Sequence, residues 1–423
     1  MDLSSNDLTG PVPTELGLLP MIAHLNLDMN NFSSSIPTEI GLLSNMTAFG
    51  IQVNMMIGIL PTELGHLTML SFLSIAGNSF NGTLPSEIGN LGRLTTFAVT
   101  FNNMTGPLPS ELGYLTNLNL FSASYNHFSS TIPTVFGFLT QLLSLDCNSN
   151  NFTGPLPSEL GHLTLLTSFQ AAKNQFNSTI PSELGQLKQL MLFDLYWNNF
   201  TGSLPTELGL LIRMRNFSVF RNHITGTIPT EIGNLVQLSE LSLFSNNMTG
   251  PLPSELGYLT NLNLFSASYN HFSSTIPTIF GYLTKLLTLD CNSNNFTGPL
   301  PSELGHLTLR TSFQAAMNQF NSTIPSELGQ LKQLMLFDFY WNNFTGSLPT
   351  ELGLLTSMTF LDFSVNHFIG TIPTEMGYQS NLQLFNISSN KLTGTIPSEL
   401  GYLDNLCKCT CDKLSNVLMY QGS

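Results

Sequence analysis

An Asn follows a short apolar run at position 6 and recurs every 24 residues up to position 390. The 17 places are spaced without one insertion, so the chain reads as 17 copies of one unit. A unit this short cannot bury a core alone. Stacking neighbour on neighbour is what shields its apolar side chains. The array is therefore expected to be a single domain over residues 1–405, with 406–423 as a tail.

The unit starting at Leu235, LVQLSELSLFSNNMTGPLPSELGY, shows the local logic. Alternation at Leu241 and Leu243 predicts a short strand with one buried face. Asn246 turns the chain inward, and its amide can satisfy backbone groups of its own loop and of a neighbouring turn. The same ladder role falls to Asn30, Asn54, Asn78, Asn102, Asn126, Asn150, Asn174, Asn198, Asn222, Asn270, Asn294, Asn318, Asn342, Asn366 and Asn390. Thr249-Gly250 and Pro251-Leu252-Pro253 carry the chain across the far side, and Ser254-Glu255-Leu256-Gly257 opens a short helical segment. Ser or Thr fills the Ser254 place in all 17 units. It predicts an N-cap, with Glu in the first turn where the helix dipole favours it.

These residues resemble the plant-type leucine-rich repeat, LxxLxLxxNxLTGxIPxxLGxLxx, over essentially the whole chain. The resemblance implies an α/β repeat solenoid: a parallel concave β-sheet, short convex helical or 3-10 segments, and a second short sheet near the L-T-G-x-I-P segment. The chain is similar to receptor-like protein and receptor kinase ectodomains and to polygalacturonase-inhibitor-type proteins. That similarity implies a non-enzymatic extracellular module that binds a protein, peptide or polysaccharide through the concave face. It leaves open whether the parent protein is membrane-anchored or secreted.

Residues 102–211 recur at 246–355 with seven differences over 110 positions. Six are conservative or lie at expected surface places. The seventh puts Arg310 where the first copy has the framework residue Leu166, a costly exchange unless the guanidinium reaches solvent or a carboxylate. Cys147 and Cys291, another copied pair, are expected to be buried structural thiols. The tail holds Cys407, Cys409 and Cys411, read as part of a truncated, disulfide-bonded cap. The chain starts in mid-repeat without a signal-peptide pattern, so a truncated product is expected.

Composition narrows the function classes. Only 9% of residues are charged, against about 25% in a typical soluble domain. The net charge of −14 leaves no basic footprint for nucleic acid. No apolar run approaches the ~18 residues of a membrane span. No nucleophile, metal or phosphate motif is present, so no catalytic residue and no cofactor are expected. Glu stands nine places after the ladder Asn in 15 of the 17 units. It reads as a solvated row, because separate helix starts rarely converge enough to hold calcium.

The concave face should carry the residues six, four, two and one before each ladder Asn. Aromatics gather there: Phe101, Tyr125, Tyr196, Trp197, Phe220, Phe244, Tyr269, Tyr340 and Trp341. Asp146, Asp194, Glu240, Asp290 and Asp338 lie beside them, with Arg221 next to Phe220. Exposed aromatics with polar partners suit peptide or glycan recognition. Tyr196, Trp197, Phe220, Arg221 and Phe244 form the strongest patch, and Asp194 with the copies Asp338, Tyr340 and Trp341 complete the candidates. The competing expectation is that the rings only pack sideways along the sheet.

Thirteen Asn-x-Ser/Thr acceptors occur: Asn31, Asn45, Asn81, Asn103, Asn151, Asn177, Asn199, Asn216, Asn247, Asn295, Asn321, Asn343 and Asn386. As a set they predict a secreted or cell-surface glycoprotein. A Thr/Ser ladder three and five places past the Asn, as at Thr225 and Thr227, offers an ice-binding array as an alternative. A structural or adhesive cell-surface role is the third reading.

Overall fold

The computed structural model describes residues 1–406; the three tail cysteines lie outside the described residues. The chain forms two compact units, Met1–His223 and Ile224–Ser423, each a stack of turns 24 residues long.

In the first unit, nine parallel strands of three residues, from His24–Asn26 to Asn216–Ser218, form the principal sheet. Each residue pairs with the one 24 places on, as Leu120 with Ser144 and Phe121 with Leu145. The second unit has seven such strands, from Glu240–Ser242 to Leu384–Asn386. The middle residue of nearly every strand is buried, which follows from the period-two pleat. A second sheet follows the ladder Asn, but its register step is 22: Thr105 pairs with His127 and Gly106 with Phe128. The chain thus slips two residues between the two sheets of one turn.

The far side of each turn is one turn of 3-10 helix, five residues long, as at Ser182–Gln186. The expected Ser/Thr N-cap is not formed. The capping place belongs to the preceding Pro, such as Pro181 at φ −64° and ψ 134°, with no side-chain cap bond. Pro fixes the extended entry, which moves the Ser or Thr into the helix itself. Its hydroxyl turns to the neighbouring carboxylate instead, as Ser110 donates to Glu111 Oε2 at 3.1 Å. The Gly of each helix serves packing, not a turn: a Cβ on Gly185 would stand 2.4 Å from the carbonyl oxygen of Glu207 in the next helix.

The core is built in columns. Phe128, Phe152, Phe176 and Phe200 stack in the first unit with centroids 5.9–6.3 Å apart. Phe272, Phe296, Phe320, Phe344 and Phe368 do so in the second at 5.8–6.3 Å. Each buried ring contributes about 1.5–3 kcal/mol. Cys147 and Cys291 are free and fully buried, and burial pushes both thiols well above their ordinary range. Arg310 reaches neither solvent nor a carboxylate. It is 0% exposed, and none of its three guanidinium nitrogens has a hydrogen-bond partner. Burial lowers its pKa to about 9.

Candidate functional site

The ladder Asn shapes the face beside it. Asn126 Nδ2 donates to the carbonyls of Ala123 and Ser124 in its own turn and of Val99 in the turn before. Its Oδ1 accepts the Met104 N–H at 3.0 Å. Closing on the two carbonyls behind it forces the intervening residue, Tyr125, into the left-handed region at φ 53°. The same holds in every repeat. The residue before the ladder Asn has φ of 52–56°, with Gly77 at 67°. Trp197, Arg221, Val365 and Trp341 are thus held in a conformation that L side chains rarely adopt. Sequence reasoning missed this row; the lone Gly77 was its one trace.

Where the left-handed residue is aromatic, its ring is exposed. Phe101 is 57%, Tyr125 48% and Trp197 47% exposed in the first unit; Tyr269 is 56% and Trp341 55% exposed in the second. One place nearer the strand, Tyr196 and Phe220 are half-buried and stack at 4.5 Å with planes 8° apart. Phe101 and Tyr125 stack at 4.3 Å. Sideways packing is therefore real at these pairs, yet it leaves ring edges open.

The structure brings together Tyr196, Trp197, Phe220 and Arg221. The Arg221 guanidinium lies 4.7 Å from the Trp197 ring centroid, and Lys173 Nζ lies 5.8 Å from it. Phe244 departs from expectation: at 9% exposure it belongs to the core, not to an open patch. It shares its place, two before the ladder Asn, with the half-buried Tyr196 and Phe220, so the place in the row does not by itself decide exposure. Burial and the nearby Asp194 raise the pKa of the Tyr196 hydroxyl.

The acids do not behave alike. Asp146 accepts from the Ser122 and Ser124 hydroxyls and from the Asn148 N–H, so its oxygens are occupied. Its copy Asp290 is held the same way by Ser266, Ser268 and Asn292. Asp338 accepts one N–H, from Tyr340 at 3.1 Å, and pairs in strand register with Asp362. Burial first, with Asp362 and Asp290 adding, raises its pKa to about 7 against the Tyr340 N–H. Tyr340 meets Trp341 edge-on at 5.8 Å. Among the described residues no group of three or more His, Cys, Asp or Glu could hold a metal ion. No described helix is long and apolar enough to cross a membrane.

Eight acceptor Asn lie in strands of the second sheet, Asn321 and Asn343 stand at the matching places of their turns, and all ten but Asn31 are exposed. Asn216 and Asn386 sit half-buried in strands of the principal sheets, and Asn386 Nδ2 donates to Asp362 and Ser364. The hydroxyl rows of the second sheet are broken by exposed Met55, Ile57 and Ile59.

A leucine-rich repeat family model matches residues 69–91, 141–163, 237–259, 285–307 and 381–403. No curated protein sequence matches the chain. Among solved structures, a TDR receptor is 31% identical with a TM-score of 0.84, covering 95% of this chain and 78% of that one. The HAESA receptor kinase ectodomain from Arabidopsis, in complex with an IDA peptide hormone, is 31% identical with a TM-score of 0.75, covering 96% of this chain and 73% of that one. A leucine-rich repeat protein of Leptospira interrogans is 30% identical with a TM-score of 0.72, covering 91% of this chain and 95% of that one. The 24-residue turns, the Asn ladder and these likenesses agree: the chain belongs to the leucine-rich repeat family, in its plant type.

Proposed function

We propose that this chain is a non-enzymatic extracellular recognition module that binds a peptide ligand across the concave face of its principal sheet. One observation carries the reading. The ladder geometry turns out a half-exposed aromatic ring at one fixed place beside the strand in five repeats, at Phe101, Tyr125, Trp197, Tyr269 and Trp341. Rings offer large contact area at low entropic cost, and their left-handed backbone fixes where they stand. The HAESA ectodomain, similar in fold and in sequence, is a receptor solved with a peptide hormone. A peptide is therefore favoured over a polysaccharide, and the acceptor Asn rows fit an extracellular setting.

Selection of peptides from a displayed random library tests this. Selected peptides should lose at least about tenfold in affinity with Trp197→Ala or Trp341→Ala. They should be indifferent to Tyr114→Ala, an exposed ring on the helix side. Peptides that respond only to Tyr114, or a library that yields none, would remove the reading.

A further inference from the structure

The duplication placed the same Trp at two sites whose neighbouring turns differ. Trp197 and Trp341 are copies 144 residues apart. In the row before the ladder Asn, Trp197 lies between Lys173, one turn back, and Arg221, one turn on. At Trp341 the corresponding places hold Met317 and Val365. We propose that Lys173, Trp197 and Arg221 form a site for an acidic side chain of an extended peptide. The proposal rests on the concave-face reading above and specifies the ligand chemistry at one place on it.

Both cations are engaged with the indole, at 5.8 Å for Lys173 Nζ and 4.7 Å for the Arg221 guanidinium. They come from opposite neighbours in a parallel, in-register stack, so each takes one side of the ring. What remains open of the 47%-exposed Trp197 is then mainly its edge. The edge of an aromatic ring carries the positive part of its quadrupole. Lys173, the ring edge and Arg221 therefore make one continuous electropositive strip, two strand spacings or roughly 10 Å long. Neither cation forms an ion pair with a carboxylate among the described residues. The two like charges gain from an anion placed between them. The Arg221 fork can bind a carboxylate through two N–H groups, with Lys173 as a point charge opposite.

The left-handed backbone at all three residues, φ 53–55°, holds the strip in place. One place nearer the strand in the turns of Trp197 and Arg221, Tyr196 and Phe220 stack at 4.5 Å. On a chain of net charge −14 this is a local exception, so it selects position along a ligand more than it attracts acids in general. An acidic peptide is favoured over an acidic polysaccharide because the flanking rows offer rings and apolar surface for alternate side chains. Phe220 stands in the adjacent row, and Tyr125 and Phe101 lie three and four turns back along the row of Trp197 in the same unit.

The chain has two Trp, so Trp341→Phe leaves Trp197 as the sole indole reporter. The probe is an N-acetylated, C-amidated decapeptide of alternating Glu and Ser, with Gln in place of Glu as control. We expect saturable change in Trp197 emission with the Glu peptide and at least about tenfold weaker binding of the Gln peptide. The double variant Lys173→Met with Arg221→Val should weaken the Glu peptide by a similar factor. Met is what the second copy carries at the place of Lys173, and Val stands in the same left-handed row at Val365, so both substitutions suit the fold, and circular dichroism checks it. No response to the Glu peptide, equal binding of both peptides, or an unaffected double variant would overturn the proposal. So would saturation by polygalacturonate with no response to peptide. If library-selected peptides depend on Trp197 but ignore the double variant, this inference fails while the concave-face reading stands. If no peptide binds at all, the broader reading fails.

Discussion

The guanidinium carbon of Arg310 lies 4.7 Å from the centre of the Phe313 ring, and no hydrogen-bond acceptor reaches its nitrogens. The cation–π contact offsets only part of the cost of burying a charge. The first copy of the duplication keeps Leu166 at this place, fully buried. Arg310→Leu should therefore raise stability by roughly 2–5 kcal/mol, measured as a shift of the denaturant midpoint. The sign with pH follows from the lowered pKa. The unfolded Arg keeps its ordinary, higher value and the folded one falls to about 9. The penalty is complete below pH ~9 and falls as pH rises above it. The advantage of the Leu variant should shrink across that alkaline range.

The ladder makes a second claim. Replacing Asn126 by Ala removes the acceptor for the Met104 N–H and the donor to the carbonyls of Val99, Ala123 and Ser124. Those groups are closed to water, so the loss should cost about 2–4 kcal/mol. Hydrogen exchange at Met104 should accelerate first. Asn126→Asp keeps the acceptor and should retain protection at Met104 while still losing stability.

The ladder also holds side chains where they do not want to be. Val53 is β-branched yet sits at φ 52°, whereas the next turn uses Gly77 at that place. Left-handed backbone costs an L residue about 1–2 kcal/mol, and Gly returns about 0.5–1 kcal/mol of that as lost chain entropy. Val53→Gly should leave stability equal or higher by up to about 1 kcal/mol. Gly77→Val should lower it by a similar amount. A marked loss from Val53→Gly in thermal unfolding would mean the row is not strained.

These cases mark what could be read from the residues alone. The strands and the ladder followed from the period and from the alternation at Leu241 and Leu243, and the solenoid from the resemblance that the repeated motif carries. Arg310 was legible as a misfit, since a charge in a Leu place violates burial whatever the details. The N-cap at Ser254 was not legible, because Ser and Pro253 both favour a helix start and only geometry shows that Pro253 takes the cap. Nor was the left-handed row: Trp197 and Val53 carry no propensity for it, and the ladder amide imposes it from outside. Phe244 shared the strand pattern of Phe220, but burial in the inner row depends on neighbours far off in sequence.

Asp338 predicts a pH dependence of opposite sign to Arg310. Its folded pKa is raised to about 7, from an ordinary value of ~4. The folded state therefore binds more protons between these values, and stability falls as pH rises from about 4 through 7. Above that range the cost is complete, on the order of 2–3 kcal/mol after allowance for partial exposure. Asp338→Asn keeps an oxygen to accept the Tyr340 N–H and removes the charge beside Asp362. The variant should be more stable than the parent at pH 8 and similar to it at pH 4. Chemical unfolding at the two pH values, with flat dependence in the parent as the contrary result, decides this.

The acceptor Asn give the last test, on material secreted from a eukaryotic host. Asn103, Asn151, Asn199, Asn247, Asn295 and Asn343 are exposed at the first residue of second-sheet strands or in the matching place of their turn. A glycan there displaces no packed contact. Asn386 differs, because its Nδ2 donates to Asp362 and Ser364 within the principal sheet. A sugar on that nitrogen removes at least one of these bonds and would lie across the proposed ligand face. We expect glycosidase treatment to lower the mass by many sugar units, with glycopeptides mapping to the exposed row and Asn386 largely unmodified. Asn386→Gln should leave the mass unchanged and peptide binding intact, whereas Asn199→Gln should remove one glycan. A native protein that loses no mass would overturn the extracellular assignment, and full occupancy of Asn386 would argue that its face is not a ligand surface.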